Sequence, residues 1–375
     1  MHVAFTSVPA AGHVHPGLGL VAELARRGHR VSYATTEPFA ERVAAAGADP
    51  VPYTPSPGYG RPVTDLVDVM EMLLDEVVHV LPQVEAAYRG DEPDVVVHDS
   101  AAHHAPVLAD RWGVPAVQLN PTIIPLDGGE ILGSGERATA FRRRYQAFLD
   151  AEGVTRDLDD FLFRPRRSIV TVPRSFQLDP DRYGDEFTFV GPLAAPRATG
   201  AWTPPDDRPV LLITLGSVYT ADPEFFRLCL EAFGGLDRHV VLAVGDHVDP
   251  ADLGPIPANT AVHAWVPQTE VLAHAAAFVT HAGMGGTMEA LRAGVPLIAV
   301  PQAVDQLLIG PMIARLGVGE HLPRADVTVE RLRAALAAVT TDTVGRRVQE
   351  VRREILALGG VAEAADIVEK EAHGV

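Results

Sequence analysis

The stretch that most limits what this chain can fold into runs from residue 265 to residue 306. A short apolar run at 276–280 reads as a buried strand, and His281-Ala282-Gly283-Met284-Gly285-Gly286 follows it. A helical segment then ends at Gly294, and a second apolar run covers 295–300. Strand, glycine-rich turn, helix and strand make a βαβ unit whose turn sits at a strand's carboxyl end, where open parallel sheets bind ligands. The three glycines let backbone approach a ligand closely, and the amides that open the next helix favour an anion such as phosphate. A tight connection that needs glycine only for its turn is the competing reading of this local pattern.

The chain opens in the same way. Residues 2–8 form an apolar strand, 9–16 a loop, and Leu18, Val21, Ala22 and Ala25 recur at helical spacing up to Gly28, before a strand at 30–35. A helix near 38–46, a short strand near 51 and a Pro/Gly/Tyr loop at 52–62 follow. Residues 63–89 carry helical periodicity, with Leu66, Val69, Met70, Leu73, Leu74, Val77, Val78 and Leu81 as the apolar face; Pro82 is expected to kink or break that helix. The strand at 94–100 puts Asp99 at its carboxyl end, on the same sheet edge as the 9–16 loop if the sheet is parallel. The Pro/Gly-rich stretch at 191–209 is the best boundary, and 210–217 begins a second series of strands and helices. At 375 residues the chain exceeds what one core usually supports, so two domains are expected.

Composition removes several classes of function. The formal charge is −18, from 31 basic and 49 acidic residues, which disfavours nucleic acid or an anionic membrane as partner. The single cysteine, Cys229, reads as a core thiol and supports neither a disulfide frame nor a thiolate zinc site. No leader-like segment opens the chain and no run of 18 apolar residues occurs, so the expectation is a cytoplasmic protein without membrane insertion.

Several motifs carry a family resemblance that spans the chain: Trp265-Val266-Pro267-Gln268, the HAGMGG run at 281–286, Glu289, PQAVDQ at 301–306, GHVHP at 12–16, PRSFQLDP at 173–180 and FVGP at 189–192. With these the sequence resembles the GT-B glycosyltransferases, the family-1 nucleotide-sugar enzymes, and among them the bacterial macrolide glycosyltransferases. The resemblance implies an α/β fold of two Rossmann-like domains facing each other across a cleft. An acceptor-binding domain would span 1–195, a linker 196–209 and a nucleotide-sugar-binding domain 210–355, with the C-terminal helix at 356–375 packing back toward the first domain.

The resemblance also implies roles. Trp265 would stack on the base, with Val266 and Gln268 near the base or ribose and Glu289 accepting from ribose hydroxyls. His281 would donate to a diphosphate oxygen beside the amides of Gly283, Met284, Gly285 and Gly286, helped by Ser217 and Thr220. Asp305 and Gln306 would hold the sugar hydroxyls, a pairing that looks like the glucose-using members. Across the cleft His13 would be the general base and Asp99 its orienting partner, with Gly12 allowing a sharp strand exit and Pro16 in the first helical turn. His15 stands as an alternative base or a surface side chain. Met70, Leu73, Ile123, Ile124 and Phe141 would line an apolar acceptor pocket, which His103 and His104 would approach.

The implied reaction is inverting transfer of a hexose, glucose from UDP-glucose, to a hydroxyl of a macrolide or polyketide. No cofactor and no metal are expected, only the nucleotide sugar and a small hydrophobic acceptor, in a monomer or homodimer. The alternatives are a dTDP-deoxysugar transferase, a nucleotide-sugar 2-epimerase and a non-catalytic auxiliary protein of the same fold.

Overall fold

A computed structural model describes residues 1–63, 65–125, 132–193, 202–216, 221–303 and 305–374. The chain divides into two compact units, Met1–Pro196 with Leu358–Val375, and Arg197–Ala357.

In the first unit β1 (His2–Thr6), α1 (Ala11–Arg26), β2 (Arg30–Thr35), α2 (Glu37–Ala45), β3 (Asp49–Pro52), α3 (Leu66–Ala87), β4 (Val95–Asp99), α4 (His104–Trp112) and β5 (Ala116–Asn120) come in order. α5 (Glu136–Ala151), α6 (Leu158–Phe163), β6 (Ser168–Val170) and β7 (Phe187–Phe189) complete the described series. Neighbouring strands are parallel throughout, in the order β3-β2-β1-β4-β5-β6-β7. Strands covered on both faces need apolar residues at every position, which is why β1 and β4 read as near-continuous apolar runs and bury every residue. Alternation still decides which layer each side chain enters. Val3 and Phe5 join the core beneath α1, whereas Ala4 joins the one beneath α3 and α5.

α3 differs from its expected course in two ways. It runs unbroken through Pro82, and Val78 is 49% exposed. One residue turns the helix by about 100°, so a position next to the buried Val77 leaves the apolar stripe. Glu76 takes an inward place instead, with its carboxylate accepting from the Ser56 amide at 2.7 Å.

The second unit contains β8 (Val210–Thr214), α7 (Pro223–Phe233), β9 (His239–Ala243), β10 (Thr260–His263), α8 (Gln268–Leu272), β11 (Ala275–Thr280) and α9 (Met284–Ala293). β12 (Leu297–Ala299), α10 (Gln306–Arg315), β13 (Gly319–His321), α11 (Val329–Val339) and α12 (Asp342–Ala357) follow. Its parallel sheet has the order β10-β9-β8-β11-β12-β13. Phe225, Phe226, Cys229 and Phe233 of α7 pack on β8 and β9, so the lone cysteine is a core residue, with burial pushing its thiol far up.

The last helix, α13 (Gly360–Ala372), belongs to the first unit. Ala364, Ala365 and Val368 enter the core beneath α1, and Arg27 Nη1 holds Asp366 at 2.6 Å and Glu369 at 2.8 Å.

Candidate active site

β1 and β4 are neighbours from which strand order runs outward in opposite directions, the point where an open sheet parts to admit a ligand. His13 stands on the first turn of α1, just after β1, and Asp99 is the last residue of β4. His13 Nδ1 lies 3.0 and 2.9 Å from the two Asp99 carboxylate oxygens. Asp99 is almost fully buried and also accepts from the Ala101 amide at 3.2 Å. A carboxylate only accepts, so Nδ1 carries the proton and the basic lone pair is on Nε2.

The loop expected over 9–16 is mostly helix, because α1 begins at Ala11. Gly12 has ordinary helical backbone, not a sharp strand exit, and a Cβ there would meet nothing within 4 Å. Pro16 falls in the second turn, not the first, and removes the hydrogen bond that residue 16 would otherwise give to the Gly12 carbonyl. His15 accepts from Arg42 Nη1 at 2.8 Å, so its basic nitrogen is already engaged by a cation.

The second unit has its own switch point between β8 and β11. The His281 ring lies between Gly216 and Gly283, and a Cβ at Gly216 would come within 2.5 Å of its Cε1. Gly216 is also left-handed at φ +83°. Ala282 holds φ 65° although it is not glycine, a strained conformation that turns the chain from β11 into α9. α9 has no side-chain cap, and the first amide to find an intrahelical acceptor is that of Thr287, on Gly283. The amides of Met284, Gly285 and Gly286 are left for a ligand. His281 Nδ1 is buried without a partner, and burial lowers the pKa to about 4, so the ring is neutral at pH 7 and offers one N–H. Unpaired amides at a helix start plus a buried donor make a site for an anion.

Around that turn, Gln268 Nε2 donates to Glu289 Oε2 at 2.7 Å, and Gly286 lies beside the same amide. Trp265 is 55% exposed and its indole N–H is held by Asp246 at 2.8 Å, with Val266 half-buried next to it. Asp305 precedes α10, and Gln306 opens it. Gln306 Oε1 does not point outward: it accepts from the backbone of Gln302 at 2.9 Å and Ala303 at 3.3 Å. Only its NH2 is left to reach a sugar. Ser217 and Thr220 lie outside the described residues.

Residues 227–370 match the family of erythromycin biosynthesis protein CIII-like C-terminal domains. Over 99% of its length the chain is 41% identical to the oleandomycin glycosyltransferase of Streptomyces antibioticus, covering 90% of that protein. The chain belongs to the antibiotic and macrolide glycosyltransferases. The NDP-glycosyltransferase YjiC of Bacillus subtilis is 36% identical, with 98% of this chain and 96% of that one covered. A crystal structure of the glycotransferase of kitacinnamycin superposes with a TM-score of 0.90 at 42% identity, covering 99% of this chain and 98% of that one. Its two parallel-sheet halves are those of a GT-B glycosyltransferase.

In this glycosyltransferase Met70, Leu73, Ile123 and Ile124 line one cavity of about 160 Å³ inside the first unit. Phe141 does not; it is 1% exposed and packs edge-on against Tyr145 in the core. His103 reaches the cavity wall, giving Nε2–H to the Ser100 carbonyl at 3.0 Å and accepting from the Tyr145 hydroxyl at 2.9 Å. His104 is a buried partner of Thr6 at 2.8 Å and is not among the residues that line this cavity. The sequence reading missed Asp246, Gln118, Asn120 and Thr122. Alternation along β5 puts Gln118 and Asn120 on one face, and that was the available signal. Among the described residues no group of three or more His, Cys, Asp or Glu side chains is placed to hold a metal, and no helix is long and apolar enough to cross a membrane.

Proposed function

We propose that the protein transfers a hexose, glucose from UDP-glucose, to a hydroxyl of a hydrophobic natural product such as a macrolide or polyketide, inverting the anomeric carbon. The observation that carries this reading is the His13–Asp99 pair, with the proton fixed on Nδ1 by a buried carboxylate. The acceptor hydroxyl attacks the anomeric carbon while His13 Nε2 takes its proton, and Asp99 stabilises the imidazolium that results. The C–O bond to the diphosphate breaks in the same step, so no covalent sugar-enzyme intermediate and no carboxylate nucleophile are required. The departing diphosphate is received by the amides of Met284, Gly285 and Gly286 and by neutral His281. These donors supply the role that a divalent ion plays elsewhere, so transfer proceeds without metal or cofactor. Trp265 offers a rigid, half-exposed face to the base, and Glu289, steered by Gln268, an acceptor to the ribose. The enzyme works in the cytoplasm on two small molecules.

A dTDP-deoxysugar donor is the second reading, and one observation favours it. Gln306 Oε1 is committed to its own turn, which weakens the Asp305-Gln306 pairing as a grip on glucose hydroxyls. The test incubates the protein with UDP- and dTDP-sugars against macrolide and phenolic acceptors, with and without EDTA, and identifies products by mass. The expected result is glucosides that form equally well in EDTA. Products from dTDP-deoxysugars alone would overturn the donor assignment, loss of turnover in EDTA the metal-free step.

A further inference from the structure

The cavity in the first unit is enclosed by apolar walls, Met70, Leu73, Ile123, Ile124, Leu162 and Phe163, but its floor is polar. Gln118 and Asn120 stand two residues apart on β5 and both face it. Asn120 Oδ1 accepts from the Thr122 amide at 3.1 Å, so the Asn120 NH2 is the end turned away from its own backbone. Gln118 Oε1 is taken by the Ser168 hydroxyl at 3.1 Å, again leaving the NH2. Neither NH2 has a hydrogen-bond partner among the described residues, and the buried Thr122 hydroxyl has none either. The Thr122 hydroxyl is the buried group that goes unmet, and the two NH2 groups open onto the cavity beside it, so a ligand with an accepting oxygen there gains hydrogen bonds the protein does not supply.

Size and charge narrow the occupant. The volume of about 160 Å³ is close to that of an apolar cavity that takes up benzene, roughly 150 Å³. A macrolactone is larger than this volume, whereas one ring-sized substituent fits it. Among the described residues the wall carries no charge, since His103 is held neutral with its pKa lowered by burial to about 4. The wall includes Ser100 and Ala101, the residues directly after Asp99.

We propose that this cavity is an acceptor subsite that takes one neutral, ring-sized apolar group bearing a hydrogen-bond-accepting oxygen, a ketone or ester carbonyl, with Asn120, Gln118 and the Thr122 hydroxyl as its donors. This rests on the first unit being the acceptor side of the reaction. It makes Asn120 a specificity-determining residue rather than a catalytic one, and it places the recognised carbonyl at the end of the acceptor that enters the cavity.

The experiment compares two phenols of one shape, para-hydroxyacetophenone with the carbonyl and para-ethylphenol without, on the wild type and on Asn120→Asp and Thr122→Val. Asn120→Asp keeps the oxygen that accepts from Thr122 and loses the NH2. The wild type is expected to favour the ketone by about tenfold in kcat/KM, the worth of a hydrogen bond to a buried donor, and Asn120→Asp to bring that ratio near one. Thr122→Val, which leaves Asn120 in place, lowers the ratio by a smaller factor and serves if Asn120→Asp does not fold. A ratio unchanged in the folded variants overturns the subsite. A separate arm needs no transfer: binding of acetophenone against ethylbenzene, neither of which has a hydroxyl to glycosylate, is followed by saturation-transfer NMR. If no sugar is transferred to either phenol or to the macrolide acceptors, the catalytic reading has failed. The subsite then stands on preferential acetophenone binding that Asn120→Asp abolishes, and falls if acetophenone binds no better than ethylbenzene.

Discussion

His13 and His281 belong to the same residue type and are set for different work by what surrounds them. A buried carboxylate on Nδ1 gives His13 a defined tautomer and a basic Nε2, while apolar burial keeps His281 neutral. His13→Ala is therefore expected to lower kcat/KM by about 10²–10⁴-fold, the usual contribution of a general base, with nucleotide affinity by calorimetry unchanged. Transfer at a near-normal rate would show that the base lies elsewhere. The buried histidines also predict a pH dependence of stability. His98, His103, His104 and His281 all have pKa values lowered chiefly by burial, to about 4, 3 and 4 for the last three. The unfolded chain then binds more protons than the folded one below the ordinary histidine value, so stability is lost as pH falls from about 6.5 toward 4, by up to about 1.4 kcal/mol per pH unit for each ring. Glu76 acts the other way, since burial raises its pKa, but it is one group against four. Urea midpoints should fall between about pH 7.5 and about pH 5, and His104→Gln should flatten the slope. A midpoint that does not change over that interval would mean these rings are hydrated.

At the scale of elements, the glycine that follows the first strand of each sheet has a different reason to be there. Gly216 is left-handed and crowds His281, so Gly216→Ala strains the backbone and displaces the ring. Nucleotide affinity should fall by tenfold or more, about 1.4 kcal/mol, in calorimetry. Gly12 lies in regular helix with open space before it. Gly12→Ala should hold or raise the melting temperature, by the roughly 0.5–1 kcal/mol that alanine gains in a helix, while lowering kcat/KM if that space is where substrate sits. Unequal effects of this kind explain what was legible in the sequence. Apolar runs and helical spacing marked β1, β4, β8, β11 and α9, because strands buried on both faces and helices with one inner face must be written that way. The start of α1 was not legible, since Ala11 and Gly12 carry no capping signal. Nor was the left-handed Ala282, where alanine holds a turn that pattern reading gives to glycine. Gln118, Asn120 and Thr122 stayed hidden for another reason. Polar residues at the end of a buried strand announce neither their partners nor their unmet donors, which depend on Ser168 from a strand some 50 residues on.

For the whole molecule, the order of the chain and the order of its units are not the same. The chain leaves the first unit, builds the second, and returns to complete the first with α13. Ala364, Ala365 and Val368 are fully buried beneath α1, the helix that carries His13, and the anchor is reinforced where His29 Nε2 meets Glu369 at 2.7 Å and Arg167 Nε meets Glu371 at 2.8 Å. These exposed or half-exposed ion pairs contribute little each, whereas the apolar face that α13 covers is worth about 5 kcal/mol or more at about 25 cal/mol per Å². A chain ending at Ala357 should therefore lose stability in the first unit alone. Its thermal transition should drop by roughly 10 °C or more, with transfer abolished at temperatures the intact protein tolerates. The second unit contains Trp265, His281 and Glu289 and every strand of its own sheet, so nucleotide binding by calorimetry should survive the truncation. If the truncated chain loses nucleotide affinity along with transfer, the two units do not fold independently. If it keeps both, α13 is dispensable and the core beneath α1 closes without it.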